Sequence, residues 1–450
     1  MRVEELEEKI LQTCKDLSRQ DLDRIVEEKL KSSPFLTRLG ALLIVLEEIG
    51  LSGEDGLGGH HDYSFTPMSA LTAGLKNVSV VGRVLGCKTF STEDGRSFSR
   101  LRLWDGTGAV DVMVWESEQS ASVGDVVAVW NGYVSTPKSG SGLVLHTGSR
   151  SRVEKMQDLG KLPPLDFSGF NLSASRLFGR RNVDVSAVVV LNTGVKAVEE
   201  ETRLLELLVS DGEAVELFTA WRDWADLLSD VAEGARLMAA SVNLKDGELH
   251  TGPNSLLTIV GFDEDVLARA LDKSVPEIPL TVLGRCFDGV LAATDGSRML
   301  RLGFPAEAPH KNVVVERAFV IQRRGIPQAY GKSIRSAQEN HLPPAYTDTL
   351  DDSEGRICSG LVDCKLVRKT PLTTVETRFG SRKISTMWVE HGGKTYSCSA
   401  WGLAAEKTDE LHEGSRLRMA FINVRRNKYG ETEIILDGKS FLMISENQVK

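Results

Sequence analysis

The sequence predicts a mainly β protein, in which small five-stranded barrels follow one another behind a short all-α segment. Three observations indicate this fold class. After residue 76 the 450-residue chain consists of short runs rich in valine, separated by turns that contain glycine. A tryptophan recurs ten residues after an Asp-Gly or His-Gly turn, at Trp115, Trp221 and Trp401. In the first group, five runs have a spacer between the third and the fourth, a pattern typical of the OB-fold, a partly open Greek-key barrel.

The first 50 residues are predicted to be helical. Apolar residues recur there at steps of three and four, for example Leu22, Val26 and Leu30, and Pro34 interrupts the pattern. A packed cap or dimerising bundle and a docking site for a partner protein are both open as its role. Residues 51–76, rich in glycine and polar groups at their start, are predicted to be a linker.

Four β modules follow, which we name OB1 to OB4. The third has no tryptophan and is predicted to be shortened, although its Val282–Arg285 matches Val80–Arg83 of the first. A β-sandwich is the structural alternative, but it needs about seven strands per unit. The expected bounds are 77–155 for OB1, 156–178 for a linker, 179–265 for OB2, 277–337 for OB3, 338–355 for a second linker, and 356–445 for OB4. The irregular connectors favour variable spacing between modules.

Charge and cysteine content restrict the function classes. The net charge of −9 argues against indiscriminate binding of nucleic acid. Its distribution is uneven, because residues 180–264 hold 16 acidic and 7 basic side chains, whereas residues 356–450 hold 11 acidic and 16 basic ones. The six cysteines include no C-x-x-C pair, so we expect no disulfide framework, no metal site and a reducing, cytoplasmic location. No apolar run is long enough to span a membrane.

Outward-facing tryptophans are the first candidate binding groups. In the third strand of OB1, Val110, Val112 and Val114 alternate with residues that include Trp115, so we predict that the valines point inward and the indole outward. The same alternation in OB4 predicts an outward Trp401. An exposed indole can stack on an unpaired base for about 1–3 kcal/mol. A tryptophan packed beneath the neighbouring spacer is the alternative.

The second module leaves two possibilities open. The alternation there places Phe218 and Trp221 on opposite faces, so either ring could be the outward one, with a bulge adjusting the strand. Because this module is acidic, we expect weak binding or a narrow basic track.

Basic and aromatic residues of the bordering hairpins are the second candidate group. In an OB-fold these loops border the groove that binds oligonucleotides, where cations neutralise phosphates and rings stack on bases. The candidates are Lys88, Phe90, Arg96, Phe98, Arg100 and Lys138 in OB1, and Phe379, Arg382, Lys383, Arg425, Arg426, Lys428 and Tyr429 in OB4.

No arrangement of residues indicates catalysis or a cofactor. The segment from Gly325 to Ser333 is similar to a phosphate-binding loop but has five intervening residues instead of four, with Pro327 among them. We interpret it as a loop of OB3. The sequence therefore favours a binding protein over an enzyme.

One family resemblance is specific enough to name. The run from Val78 to Arg83, the segment from Trp104 to Gly108 and Trp115 resemble an OB-fold module of replication protein A, the single-stranded DNA-binding protein. The Ala400-Trp401-Gly402 segment is similar to the same strand of another module. The archaeal single-chain form is the most similar, and the helical segment that ends at Gly50 resembles the N-terminal segment of archaeal members.

The resemblance implies largely sequence-independent coating of single-stranded DNA in replication, repair and recombination, in association with the nucleoid. It assigns the stacking aromatic to Trp115 and Trp401, and less directly to Trp221. Replication or repair proteins are expected partners, through the helical segment or OB2. Unlike many members, this chain lacks paired cysteines for a zinc ribbon. An RNA-binding OB protein and a partner-docking scaffold are the alternatives.

Overall fold

The structure of the chain is a computed structural model. The residues that it describes are 7–8, 10–12, 17–32, 38, 41–42, 45, 65–91, 97–115, 121–137, 142–172, 182–199, 202–245, 247–303, 311–337, 342–347, 350, 355, 357–377, 380–427 and 429–445. Contacts divide the chain into two compact units, 1–84 with 88–164 and 85–87 with 165–450.

The described part of the N-terminal segment is almost entirely helical. Helix α1 (Arg19–Ser32) presents Leu22 and Val26 to a small core that also contains Ile10 and Leu42. The carboxylate of Glu7 is buried and accepts hydrogen bonds from Arg19 and Arg38. The all-α unit expected from the sequence is therefore present.

OB1 is a sheet that closes on itself. The strand order is β1-β2-β3-β5-β4-β6, pairing of β1 with β4 closes the barrel, and β3 and β5 run parallel. A short 3-10 helix, Met68–Ala70, precedes the barrel. The strands are β1 (Val78–Ser91), β2 (Ser97–Trp104), β3 (Ala109–Trp115), β4 (Val126–Ser135), β5 (Val144–His146) and β6 (Arg152–Met156).

OB2 repeats this topology. The order β11-β9-β8-β7-β10-β12 is closed by pairing of β10 with β11. A 3-10 helix, Phe167–Phe170, precedes the barrel, and the spacer after the third strand holds helix α2 (Asp223–Leu227). The strands are β7 (Asn182–Glu199), β8 (Thr202–Ser210), β9 (Val215–Trp221), β10 (Ala235–Lys245), β11 (Glu248–His250) and β12 (Leu256–Phe262), followed by helix α3 (Glu264–Leu271).

OB3 is short but has every barrel strand. Its order is β13-β14-β15-β17-β16-β18, closed by pairing of β13 with β16. The segment interpreted as a loop after Gly325 is instead strand β17, because Arg324 and Gly325 form a two-residue turn with positive φ and Arg323 pairs with Ile326. The strands are β13 (Val275–Arg285), β14 (Leu291–Thr294), β15 (Met299–Leu302), β16 (Asn312–Arg323), β17 (Ile326–Tyr330) and β18 (Ser333–Ser336).

OB4 contains the largest of the four sheets, with nine strands. Its fourth barrel strand is divided into β24 and β25. The order is β19-β25-β26-β23-β22-β20-β24-β27, with β21 paired to β22. Leu350, in the connector predicted to be a linker, is fully buried in the core of this barrel. The elements are β19 (Ile357–Cys358), β20 (Val362–Lys369), β21 (Thr373–Thr377), β22 (Gly380–His391), β23 (Lys394–Trp401), helix α4 (Leu403–Asp409), β24 (Arg416–Ala420), β25 (Ile422–Arg426), β26 (Thr432–Leu436) and β27 (Phe441–Ile444).

All four modules therefore have the strand order of the OB-fold. In each, the first three strands lie side by side, the fifth runs parallel to the third, and the fourth lies between the fifth and the first. This closed order excludes the β-sandwich alternative. The predicted fold class, tandem OB-folds behind a helical unit, is confirmed.

A kink in the fourth strand recurs in every barrel. Non-glycine residues with φ of 48–55° interrupt this strand at Asn131, Ser241, Arg317 and Phe421. Pairing with the fifth strand lies entirely after the kink, whereas pairing with the first strand lies mostly before it and extends at most two residues beyond it. A local bend of this kind lets one strand belong to both edges of a closed sheet. The kink therefore lies where the strand begins to pair with the second edge of the barrel.

The kink makes a testable prediction about stability. Arg317 is exposed at φ 48°, where a side chain costs about 1 kcal/mol that glycine avoids. We expect Arg317→Gly to raise the free energy of unfolding of the C-terminal unit by up to about 1 kcal/mol, measured by chemical denaturation. Lys365→Gly, at an exposed position inside β20, should lower it by a similar amount. A loss of stability in Arg317→Gly would contradict this account.

Candidate nucleic-acid interface

The third strand of OB1 has the predicted alternation. Val110, Val112 and Val114 are buried in the barrel, whereas Trp115 at the end of β3 is 38% exposed. On the neighbouring β2, Ser99, Leu101 and Leu103 are buried and the residues between them are not. The outward position of Trp115 is therefore confirmed.

Trp115 belongs to a row of three aromatic rings, which we name the OB1 platform. Phe98 pairs with Trp115 across β2 and β3, and their ring centroids are 5.1 Å apart. Phe90, at the end of β1, stacks on Phe98 with centroids also 5.1 Å apart and planes 14° from parallel. The ammonium of Lys88 lies 5.4 Å from the ring centre of Phe90. Four of the predicted site residues therefore lie together on one edge of OB1.

Two arginines continue this face across the sheet. Arg100 and Arg102 both bind the carboxylate of Asp111, with 3.3 Å between Arg102 Nη1 and Asp111 Oδ1. The shared carboxylate leaves one net positive charge on the cluster. Arg100 is therefore held in place beside the platform, and its charge is partly neutralised.

A second pair of rings on the same face was missed by the sequence reasoning. Tyr133, 45% exposed, stacks on His146 with ring centroids 5.0 Å apart. His146 pairs with Met113 on one side and with Tyr133 on the other, and Met113 pairs with Arg100, so the four residues form one row across the barrel. Burial lowers the pKa of His146, and its Nε2 lies 2.8 Å from Ser135 Oγ. The imidazole of His146 that stacks on Tyr133 is therefore neutral at pH 7.

OB4 presents a comparable face. Tyr396, Cys398 and Ala400 are buried in the barrel core, and Trp401 at the end of β23 is half-buried on the opposite face, as the alternation predicted. The sequence reasoning did not identify Trp388, which pairs with Ser397 on this face. The guanidinium carbon of Arg368 lies 3.8 Å above its ring centre.

The described predicted cations of OB4 are exposed, and two of them have acidic partners. Lys383 forms an ion pair with Glu406 at 2.7 Å, and Arg425 with Glu433 at 3.0 Å. Arg426 donates to the carbonyl of Gly430. The other described candidates are Arg382, exposed on β22, and Tyr429, 75% exposed in the final hairpin. Arg96, Lys138, Phe379 and Lys428 lie outside the described residues.

OB2 differs because its outer face is covered. Phe218 is 1% exposed within the barrel core, so the prediction that it could contact nucleic acid is wrong, and Trp221 is the ring on the outer side of β9. Farther along that side, Leu208 and Leu217 pack against Phe319 and Tyr330 of OB3. Alternate side chains of β9 therefore belong to two different hydrophobic clusters, the barrel core and the interface with OB3. Amino-acid composition alone does not distinguish these two environments.

A network of buried ion pairs and hydrogen bonds connects OB3 to OB2. Arg323, next to the tip of the β16–β17 hairpin, binds the carboxylates of Glu206 and Glu248, which are 2% and 4% exposed. Lys196 of OB2 donates to Glu206 and to the carbonyl of Gly303 in OB3, both at 2.8 Å. Buried carboxylates would also repel phosphate, so this face of OB2 is suited to holding the OB3 hairpin.

The outer face of OB3 is covered in turn by OB4. Ala292 and Met299 form a buried cluster with Phe421 and Phe441. The backbone N–H of Phe287 donates to the carbonyl of Ser440 at 3.1 Å. The face of OB3 that corresponds to the platform of OB1 is therefore an interface between barrels.

No group of three or more His, Cys, Asp or Glu side chains is arranged to hold a metal ion among the described residues. None of the helices in the described ranges has the length and hydrophobicity needed to cross a membrane.

Comparison with known proteins gives structural likenesses only. No family model matches the chain, and no curated protein matches it. A replication protein A heterotrimer bound to single-stranded DNA is 10% identical, with a TM-score of 0.35 over 85% of this chain and 96% of that one. The second OB-fold domain of replication protein A from Methanococcus maripaludis is 15% identical, with a TM-score of 0.18 over 22% and 91%. The Ifi202 HINa domain in complex with double-stranded DNA is 12% identical, with a TM-score of 0.28 over 41% and 97%.

The strand order and closure of the four barrels, and not these likenesses, define the class of the chain. It is a tandem OB-fold chain in which OB1 and OB4 have open faces with aromatic and basic residues, whereas OB2 and OB3 use their faces to hold one another and OB4 together.

Proposed function

We propose that this chain binds single-stranded DNA through the open faces of OB1 and OB4, and coats and protects it in replication, repair and recombination, as the family resemblance implies. The observation that carries the proposal is the OB1 platform: three rings in contact, with Lys88 at one end and Arg100 beside them. Exposed aromatic rings beside cations accept an unpaired base and its phosphate. They do not accept a paired base, whose faces are stacked within the duplex.

The binding energy follows from these two kinds of contact. Stacking of a base on an aromatic side chain contributes about 1–3 kcal/mol and tolerates every base, because each base has a π face. Contacts to phosphates add an electrostatic contribution that falls with salt through counterion release. The exposed Arg382 and the Arg368–Trp388 pair supply the same combination on OB4. Binding should therefore be tight and largely independent of sequence.

A docking scaffold is the second candidate, and one observation favours it. The outer faces of OB2 and OB3 already pack against other barrels of the same chain, which supports a capacity of OB faces to bind protein surfaces. An RNA-binding protein would use the same rings, and the 2′-hydroxyl distinguishes the two nucleic acids.

A length series of fluorescently labelled oligo-dT tests the proposal. One OB-fold covers about 4–16 nucleotides. With two open faces, we expect the affinity to rise in two steps as the oligonucleotide lengthens, and log affinity to fall linearly with log salt at about 0.7 for each phosphate contact. Competition with RNA and with duplex DNA of matched length is the control. No binding of oligo-dT, or stronger binding of RNA, would refute the proposed ligand.

A further inference from the structure

A groove opens on the side of OB3 that its first, fourth and sixth strands form. Pro279, Val314 and Arg335 lie in one register row across β13, β16 and β18, and the lining also includes Glu277 and Ala337. Val314 faces outward, because both of its neighbours in β16 belong to the barrel core. The groove has a volume of about 570 Å³. None of these five residues belongs to the clusters that join OB3 to OB2 and OB4.

In OB1 the corresponding side is covered by an aromatic residue of the segment that leads into the barrel. Phe65 packs against Trp130 of β4, with ring centroids 6.1 Å apart. The N–H of Thr66 donates to the carbonyl of Ser79 in β1 at 2.8 Å. Arg152 of β6 completes the cluster, with its guanidinium carbon 5.6 Å from the ring centre of Trp130. The incoming segment therefore places a ring beside an arginine on this side of OB1.

OB4 has the same arrangement. The ring centre of Tyr346, in the connector before the barrel, lies 5.9 Å from the guanidinium carbon of Arg418 on β24. The N–H of Thr347 donates to the carbonyl of Leu361 at 2.9 Å. Leu361 corresponds to Ser79, because each precedes the first-strand residue that pairs two positions before the fourth-strand kink. The two incoming segments are therefore bound at equivalent positions.

The segments that lead into OB1, OB2 and OB4 also share a sequence pattern. In OB2 the ring centre of Phe167 lies 5.6 Å from the guanidinium carbon of Arg236 on β10. Phe65, Phe167 and Tyr346 are each followed by serine or threonine, and the last two come shortly after a Leu-Pro-Pro sequence. Only three residues, none of them aromatic, separate helix α3 from β13. OB3 therefore has no incoming segment of this kind for its groove.

The groove of OB3 has the two groups that hold such a segment in the other barrels. Glu277 corresponds to Ser79 and Leu361, because the residue after it pairs two positions before the kink of β16. Arg335 on β18 donates to the carboxylates of Glu277 at 2.8 Å and Glu316 at 3.0 Å. These hydrogen bonds use the edge of the planar guanidinium, and its face can stack on an aromatic ring.

We propose that this groove docks an extended segment of a partner protein, in which an aromatic residue followed by serine or threonine packs against Val314 and Arg335. The other three barrels define this chemistry, because each binds such a segment beside an arginine. A proline-containing segment is already extended and loses little entropy on docking. The inference goes beyond the proposed function, since the groove lies outside the open faces of OB1 and OB4. The carboxylates of Glu277 and Glu316 outnumber Arg335 and would repel a phosphate.

A fluorescently labelled peptide with the sequence of residues 342–347 tests the groove in the full-length chain. We expect one peptide to bind per chain, and Arg335→Ala to weaken binding roughly 2- to 30-fold through loss of a cation–π contact. Val314→Lys should abolish binding, because it puts a long charged side chain in the groove. A peptide in which alanine replaces the tyrosine should not bind.

Arg298→Ala is the matched control. Arg298 belongs to the same barrel, is about as exposed as Arg335 and pairs with Asp295 at 3.1 Å, outside the groove. Its replacement should change the affinity for the peptide less than about twofold. Should Val314→Lys fail to fold, the comparison of Arg335→Ala with Arg298→Ala still decides.

The outcomes are separate from those for DNA binding. If the chain does not bind oligo-dT, the proposed function fails and the groove stands. No binding of the peptide, or equal binding by the Arg335 and Arg298 variants, would overturn the groove and leave the proposed function intact. A concentration-dependent dimer in sedimentation experiments that Arg335→Ala weakens would identify a second copy of this chain as the occupant, and would overturn the partner protein.

Discussion

Replacing Trp115 by alanine should lower the affinity of the chain for oligo-dT by roughly 5- to 150-fold, which corresponds to the loss of one stacked base. The indole is 38% exposed and stands at the end of the OB1 platform, against Phe98. Because every base has a π face, the loss should be similar for dT, dC and dA strands. Trp401→Ala should act in the same way on OB4, and the double variant should lose more than either single variant. Fluorescence anisotropy titrations at fixed salt would measure all three.

Trp130→Ala is the matched control for this prediction. Trp130 lies in the same barrel, on β4, where it packs against Phe65 and the guanidinium of Arg152 and not against the platform. We expect its replacement to change affinity less than about twofold, as for a residue outside the contact. Unchanged binding of oligo-dT by the Trp115 and Trp401 variants would show that the rings do not stack on bases.

Replacing Arg323 by alanine should destabilise the C-terminal unit by about 3–5 kcal/mol, because it leaves the carboxylates of Glu206 and Glu248 buried without their main partner. Chemical denaturation of the full chain would show the loss as a lower midpoint. Lys332→Ala is the matched control, since it removes an exposed pair with Glu233 between the same two barrels and should cost less than about 1 kcal/mol. Equal midpoints for the two variants would contradict the buried network.

The network of Arg323, Glu206 and Glu248 makes the stability of the interface between OB2 and OB3 depend on pH. Burial would raise the pKa of Glu248, but hydrogen bonds from His250 and Arg323 and the charge of Arg323 outweigh it and hold this pKa at about 2, below its ordinary 4.5. A carboxylate with a depressed folded pKa contributes stability above its unfolded pKa and loses it as the pH falls. The contribution of Glu248 should therefore decline between about pH 4.5 and pH 2. In the Arg323→Ala variant, the loss of stability over this pH range should be smaller than in the unaltered chain.

Local patterns in the sequence were enough to predict the barrels and the faces of their third strands. Alternation of side chains along β3 and β23 placed Trp115 and Trp401 outward, since period-two patterns are local. The same rule failed to choose between Phe218 and Trp221, because both faces of β9 are apolar: one faces the barrel core and the other faces OB3.

Residues that join the site through pairing of distant segments could not be found from sequence. Tyr133 and His146 meet only through the register of β4 and β5, and Trp388 meets Arg368 across β20 and β22. The expectation of variable spacing between modules also did not anticipate the contacts that hold OB2, OB3 and OB4 together. The ion pair between Arg323 and Glu206, for example, joins residues that are far apart in the chain. These contacts depend on tertiary geometry that no local window contains.

The bend shared by Asn131, Ser241, Arg317 and Phe421 offers a way to align the four barrels without relying on side chains. The four residues at the bend share no chemical property, so a comparison of sequences cannot detect it. The positive φ angle identifies it in every barrel. In OB3 the residue ten positions after the Asp295-Gly296 turn is Pro305, where the other three barrels carry tryptophan. Ancestry by duplication would thus be best traced through torsion angles, with OB3 as the copy in which a proline stands in place of the tryptophan.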